Sequence, residues 1–242
     1  MNRQEMTVPA RTAPVLFKEE TVSTMTELKE QASGLPHGAV LWTLRQTAGK
    51  GRSGRSFASP DGGLYYSMLL RYAQPDERLL AVTPLAAVAV VRALRRHSGI
   101  ETEIKWPNDI LLGGKKLCGI LTESVTGAGG MQIIVGIGIN VNTREFPTEL
   151  RSIACSVFQE TGKTGDLAEL AAILTGELDR VYAKLPLFSP EDLEEYRDRC
   201  GTIGKKISQG GTARRIGDDF SLVTELDDGS EKEIRFGEIF QT

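Results

Sequence analysis

Histidine is nearly missing from this chain of 242 residues, with His37 and His97 the only two. A mechanism built on an imidazole base has little to draw on, so the chemistry must rest on cations, a carboxylate and backbone amides. Cysteine is sparse too. Cys118, Cys155 and Cys200 are odd in number, widely spaced and form no CxxC pair. That argues against a zinc site and for a reducing compartment. Long apolar runs are lacking: the stretch 79–94 holds Thr83, Pro84 and Arg92 and is too short and too broken to span a bilayer. The N-terminal run MNRQEMTVPARTAPVLF has no signal-peptide core. The expectation is a soluble, cytoplasmic protein without a membrane partner. Positive charge is not in excess, since 29 Lys and Arg against 32 Asp and Glu give a net charge of −3. No global field for nucleic acid follows, and any cationic site must be local.

What remains is an ordinary globular composition, 40% hydrophobic and 25% charged. The length suits one large domain, or a main domain with a small appendage, able to bury its core without disulfides. Residues 1–14 read as a frayed arm. Thr24-Met25-Thr26-Glu27 has capping-box spacing and predicts a helix to about Ala32. Strands are expected at 40–44, 64–70, 103–106 and 132–141, and a hairpin at 110–123 turning on Gly113-Gly114. Helices are expected at 84–97, 166–185 and 190–199. The mixed order with hairpins argues for α+β. After Cys200 short β-like runs at 206–208, 212–216, 220–226 and 231–235 suggest a small β-barrel. The division expected is a catalytic domain over 1–197 and a C-terminal barrel over 198–242.

Three segments carry chemistry. In Gln46-Thr47-Ala48-Gly49-Lys50-Gly51-Arg52-Ser53-Gly54-Arg55-Ser56-Phe57 glycines alternate with cations. Free backbone N–H groups and three cations suit a phosphate or carboxylate ligand. The three glycines mimic GxGxxG, but the dinucleotide fingerprint needs a helix next, and Ser59-Pro60-Asp61-Gly62-Gly63 and a strand follow. Lys105-Trp106-Pro107-Asn108-Asp109 sets a cation, a large ring, a rigid bend, an amide and a carboxylate at a strand end, a good place to aim side chains at a ligand. Downstream, Lys115-Lys116-Leu117-Cys118-Gly119-Ile120-Leu121-Thr122-Glu123 suits a pocket with a charged mouth and an apolar wall. Gly136-Ile137-Gly138-Ile139-Asn140 then offers glycines where a ligand can approach the backbone.

Together, in this order, these segments resemble biotin protein ligases across residues 23–142. The resemblance implies a catalytic domain with a mixed sheet, related to class II aminoacyl-tRNA synthetases and lipoate ligases, plus a small C-terminal SH3-like barrel. It implies a biotin–[acetyl-CoA-carboxylase] ligase that forms biotinyl-5′-AMP from biotin and ATP with Mg2+. The biotin then passes to a lysine of a biotin carboxyl carrier protein. By resemblance, Ser23, Thr24 and Met25 match a Ser-Thr-Asn biotin contact, with Met25 replacing the asparagine. Gln46, Lys50, Gly51, Arg52, Lys116, Gly119 and Leu121 are further biotin contacts. Arg55, Phe57, Asn108 and Asn140 match the nucleotide side, with Phe57 where many members have tryptophan. Arg52, Lys116 and Asp109 are the candidate catalytic residues, and no metal ligation by side chains is expected. About 22 residues precede Ser23, too few for the DNA-binding domain of some members, so no operator binding is expected. Dimers are common in the family. The rival readings are a lipoate or octanoate ligase and a non-catalytic biotin or nucleotide regulator.

Overall fold

Alternation along the strands decides which face of the sheet meets which helix. The structure is a computed structural model that describes residues 4–5, 11–127 and 129–235. Its strands are β1 (Gln4–Glu5), β2 (Val15–Thr21), β3 (Val40–Gln46), β4 (Gly63–Tyr72), β5 (Glu103–Lys105), β6 (Asp109–Leu112), β7 (Lys115–Gly127) and β8 (Gly130–Asn140). They form one eight-stranded sheet in the order β1-β2-β3-β4-β8-β7-β6-β5. β2 and β3 run parallel, and the other neighbours are antiparallel. The mixed sheet expected for the α+β class is present.

On one face, Leu64, Tyr66, Met68 and Leu70 of β4 and Ile133, Val135, Ile137 and Ile139 of β8 enter the main core. Helices α2 (Val82–Ser98) and α4 (Leu167–Tyr182) pack there. α2 is buried nearly all round because it lies between the sheet and α4. α4 is amphipathic, with Leu170, Leu174 and Leu178 in one inward stripe and Asp166 capping its first amides. Burying each leucine contributes about 2 kcal/mol. The other face carries α1 (Thr24–Glu30), whose Met25 and Leu28 join Leu41, Leu69 and Ile134 in a separate cluster. The helices α3 (Val157–Thr161) and α5 (Pro190–Arg199) complete the set. Asp192 of α5 is buried, yet Arg92 lies 2.6 Å and Arg180 3.3 Å from it, so its charge is paired.

Several boundaries differ from the sequence reading. Ser23, not Thr24, caps α1: its Oγ accepts from Thr26 N–H at 3.4 Å, while the Thr24 hydroxyl is drawn to Gln46 and Ser67. The α-helix stops at Glu30 and a 3-10 turn follows at Ala32–Gly34. Strand β2 was not expected, because in VLFKEET the charges follow the apolar residues without alternation. The arm is not frayed where it is described. Gln4–Glu5 pairs with β2, and Arg11 is ion-paired with Asp179 at 2.7 Å; residues 1–3 and 6–10 lie outside the described residues. In the C-terminal part, β9 (Thr212–Ile216), β10 (Leu222–Glu225) and β11 (Glu231–Ile234) make a three-stranded antiparallel sheet. The run 206–208 supplies only an isolated bridge, Lys206 to Thr212, so the sheet stays open among the described residues. Residues 236–242 lie outside them.

The C-terminal part, through Thr202 and the Phe220 turn between β9 and β10, holds the corner after β5. Trp106 N–H donates to Thr202 Oγ1 at 2.9 Å, and its indole N–H donates to the Phe220 carbonyl at 2.9 Å. The buried ring is thereby satisfied at its polar end, and the turn carrying Asn108 and Asp109 is fixed.

Candidate active site

The sheet face beneath α1 is stripped of side chains at its centre. Gly138 of β8 faces Gly119 of β7 and Tyr65 of β4, and Gly136 faces Leu121 and Ser67. Three glycines leave bare backbone there. It floors a cavity of about 530 Å³. The Phe57 ring lies against Gly138 and Gly119, and the Met25 thioether lies against Gly136, each where a Cβ would otherwise stand. Met25 thus serves the small core cluster as well as the cavity.

At the inner end, Gln46 Oε1 accepts from Thr24 N–H at 2.9 Å and from Thr24 Oγ1 at 3.2 Å. Over the cavity runs the glycine and cation loop, pinched by a Lys50–Ser56 bridge and a tight turn at Arg52–Gly54. Arg52 Nη1 donates to Asn108 Oδ1 at 2.7 Å, and Asn108 Nδ2 donates to the Ile120 carbonyl at 2.8 Å. Asn108 is therefore a strut between the loop and β7 as well as a cavity wall.

A register shift aims the lysine. Regular alternation would set residues 116 and 119 on opposite faces of β7. Asp109 pairs with Gly119 and Ile110 with Cys118, but Leu111 pairs with Lys116. Leu117 is the extra residue of a β-bulge, and it is buried together with Cys118. The bulge returns Lys116 to the face of Gly119 and Asp109. Its Nζ sits 2.6 Å from Asp109 Oδ1.

All the residues singled out from the sequence line this one cavity: Ser23, Thr24, Met25, Gln46, Lys50, Gly51, Arg52, Arg55, Phe57, Asn108, Asp109, Lys116, Gly119, Leu121 and Asn140. The segment 146–154 was missed, although Phe146, Pro147, Leu150, Ile153 and Ala154 form the far wall. Lys116 N–H donates to the Ile153 carbonyl at 2.8 Å, Cys155 N–H donates to the Lys116 carbonyl at 3.0 Å, and Asn140 Nδ2 holds the Cys155 carbonyl at 3.1 Å. That wall has no periodicity. Neither histidine lines the cavity. Burial pushes the Cys118 thiol up, and the Cys155 thiol up to about 11, so neither supplies a thiolate near neutral pH.

The bare floor gives a direct test. Gly138→Val would drive a branched side chain into the space of the Phe57 ring. Overpacking of this kind costs about 1–3 kcal/mol, so kcat/KM for the acid substrate is expected to fall roughly 10- to 100-fold. Steady-state kinetics beside a thermal melt check this.

A basic loop closed over bare sheet, with a lysine–aspartate pair at its corner, suits a ligand that carries a carboxylate or phosphate. The sequence profile described as the Biotin/lipoate A/B protein ligase family matches residues 17–140. The chain belongs to that family. The bifunctional ligase/repressor BirA of Bacillus subtilis (strain 168) is 36% identical over 231 residues, covering 90% of this chain and 71% of the relative. The biotin–[acetyl-CoA-carboxylase] ligase of Paracoccus denitrificans is 34% identical over 208 residues, covering 81% and 85%. Among solved structures, the biotin protein ligase from Aquifex aeolicus in complex with biotin and ATP superposes with a TM-score of 0.77 at 28% identity, covering 94% of this chain and 99% of that one.

Proposed function

We propose that the chain activates biotin with ATP as biotinyl-5′-AMP and passes the biotinyl group to a lysine of a biotin carboxyl carrier protein. The observation that carries this reading is the convergence of the Arg52 loop and Lys116 on one glycine-floored cavity. The acid enters beside the Phe57 ring and the Met25 thioether that cover Gly119, Gly138 and Gly136, its ring end at Thr24 and Gln46. The nucleotide lies toward Asn140 and the 146–154 wall.

In the first step the biotin carboxylate, already ionised at neutral pH, attacks the α-phosphorus and pyrophosphate leaves. No base is required. The obstacle is repulsion between an anion and a polyanion, which Arg52, Lys116 and Lys50 reduce. Among the described residues no group of three His, Cys, Asp or Glu side chains could hold a metal ion. Magnesium would come with the triphosphate and lower its charge. In the second step the carrier's amine attacks the acyl carbon and AMP leaves. That amine is mostly protonated at neutral pH. Asp109 orients it by accepting a hydrogen bond from it once Lys116 has turned to the acyl phosphate.

In this reading residues 1–197 form the catalytic unit and 198–242 a small β appendage, supported by the separate three-stranded β9–β11 sheet. Three free cysteines agree with work in the cytoplasm. Among the described residues no helix is long and apolar enough to cross a membrane. Pyrophosphate release from purified protein tests the function. It is expected with ATP and biotin and absent with ATP alone. Release with lipoate or octanoate in place of biotin would reassign the acid, and no release with any of them would leave a binding protein.

A further inference from the structure

The turn Ser59-Pro60-Asp61-Gly62-Gly63 has no role in the reading above, yet it anchors one foot of the basic loop. Tyr65 Oη donates to the Pro60 carbonyl at 2.6 Å, and Asn142 N–H donates to the Gly62 carbonyl at 2.6 Å. Gly62 stands at φ +90° with the Asn142 backbone against it, so only glycine fits. The two feet of the loop meet where Phe57 N–H donates to the Gly49 carbonyl at 2.9 Å. Ser59 sits at that junction. Its hydroxyl donates to the Phe57 carbonyl at 3.1 Å and accepts from Gln46 Nε2 at 3.0 Å.

The direction of each bond in this chain follows from its end. A carbonyl only accepts, so the Ser59 proton goes to Phe57. Ser59 then has only lone pairs to offer, and Gln46 must turn its NH2 toward them. The Gln46 amide oxygen is thereby set toward Thr24, where it takes the backbone N–H and the hydroxyl. Thr24, its proton spent, accepts from the buried Ser67 hydroxyl at 2.8 Å. A continuous hydrogen-bonded chain runs from the centre of the sheet to the foot of the loop. Side chains are excluded at Gly49, where a Cβ would crowd the Phe57 carbonyl, Ser59 Oγ and Gln46 Nε2 together.

We infer that Ser59 is a positioning residue that couples recognition of the acid to closure of the loop. The inference rests on the biotin-ligase reading. Ser59 fixes which way the Gln46 amide faces, leaving one Gln46 N–H for an acceptor oxygen of the acid. The same hydroxyl holds the Phe57 carbonyl, and so the ring that lies on Gly119 and Gly138. Loss of the hydroxyl lets the amide turn over and the foot shift. The acid end suffers; Phe57, matched to the nucleotide side by resemblance, here lies on the floor glycines, so the nucleotide end, bounded by Asn140 and residues 146–154, does not.

The test is a double-mutant cycle with Ser59→Ala and Gln46→Ala, reading the KM for biotin, the KM for ATP and the escape of adenylate after a single turnover. Ser59→Ala is expected to raise the biotin KM about tenfold and hasten escape, with the ATP KM held within about twofold. In the Gln46→Ala background, Ser59→Ala should raise the biotin KM no further. A thermal melt confirms that each variant is folded. An unchanged biotin KM, an equal rise in both KM values, or full additivity with Gln46→Ala overturns the coupling. Wild-type protein that turns over lipoate but not biotin overturns the acid assigned, and the same split, read with lipoate, then decides Ser59.

Discussion

Lys116→Ala is expected to abolish adenylate formation while leaving the fold intact. The ammonium is the cation delivered to the corner of the cavity by the bulge, and its backbone is pinned on both sides by Ile153 and Cys155. Alanine keeps those backbone bonds and removes only the charge. A fixed donor aimed at developing negative charge is worth about 100- to 1000-fold in kcat. Its side chain is 38% exposed and that of Asp109 21%, so loss of the ion pair itself costs little stability. Pyrophosphate release should therefore fall about 100- to 1000-fold against an almost unchanged melt, with a far smaller loss of calorimetric affinity for biotin. Normal release would remove Lys116 from the chemistry.

Arg52→Gly should act on a later event. Its guanidinium joins the loop to the corner after β5 through Asn108 at 2.7 Å, a bond from a charged donor to a buried amide. Bonds of that kind are worth about 1.5–3 kcal/mol, so the adenylate should leave roughly 10- to 100-fold faster. The visible result is biotinyl-adenylate free in solution and labelling of lysines on bystander proteins. Rapid filtration after one turnover measures it. Retention equal to that of wild type would mean that the loop is not the cover.

The sequence carried the site further than it carried the fold. Gly119, Gly136 and Gly138 were legible because glycine inside an apolar strand needs a reason, and close approach to backbone is one. The Arg52 loop was legible because glycine and cation alternate where neither helix nor strand can form. Two features were not. Nothing in Lys115-Lys116-Leu117-Cys118-Gly119 announces an extra residue, so the reading could place Lys116 beside the strand but not on the face of Gly119. The wall at 146–154 has neither period nor motif, and only the tertiary bonds to Lys116 and Asn140 bring it to the cavity. Ser23 and Thr24 are both good caps by chemistry. The choice fell to Ser23 because Ser67 and Gln46, distant in sequence, compete for the threonine. In the C-terminal part the short runs were read correctly as β-like, but pairing decides which of them become strands.

Because position 117 is a supernumerary link in an otherwise regular ladder, this stretch has one residue to spare. Its loss would leave Asp109, Ile110 and Leu111 opposite the same partners in a plain pleat, with the ammonium still on the Gly119 face. Drawing that residue into the ladder at constant length would instead turn the ammonium to the core side, so a one-residue gap here should cost less activity than a straightened register.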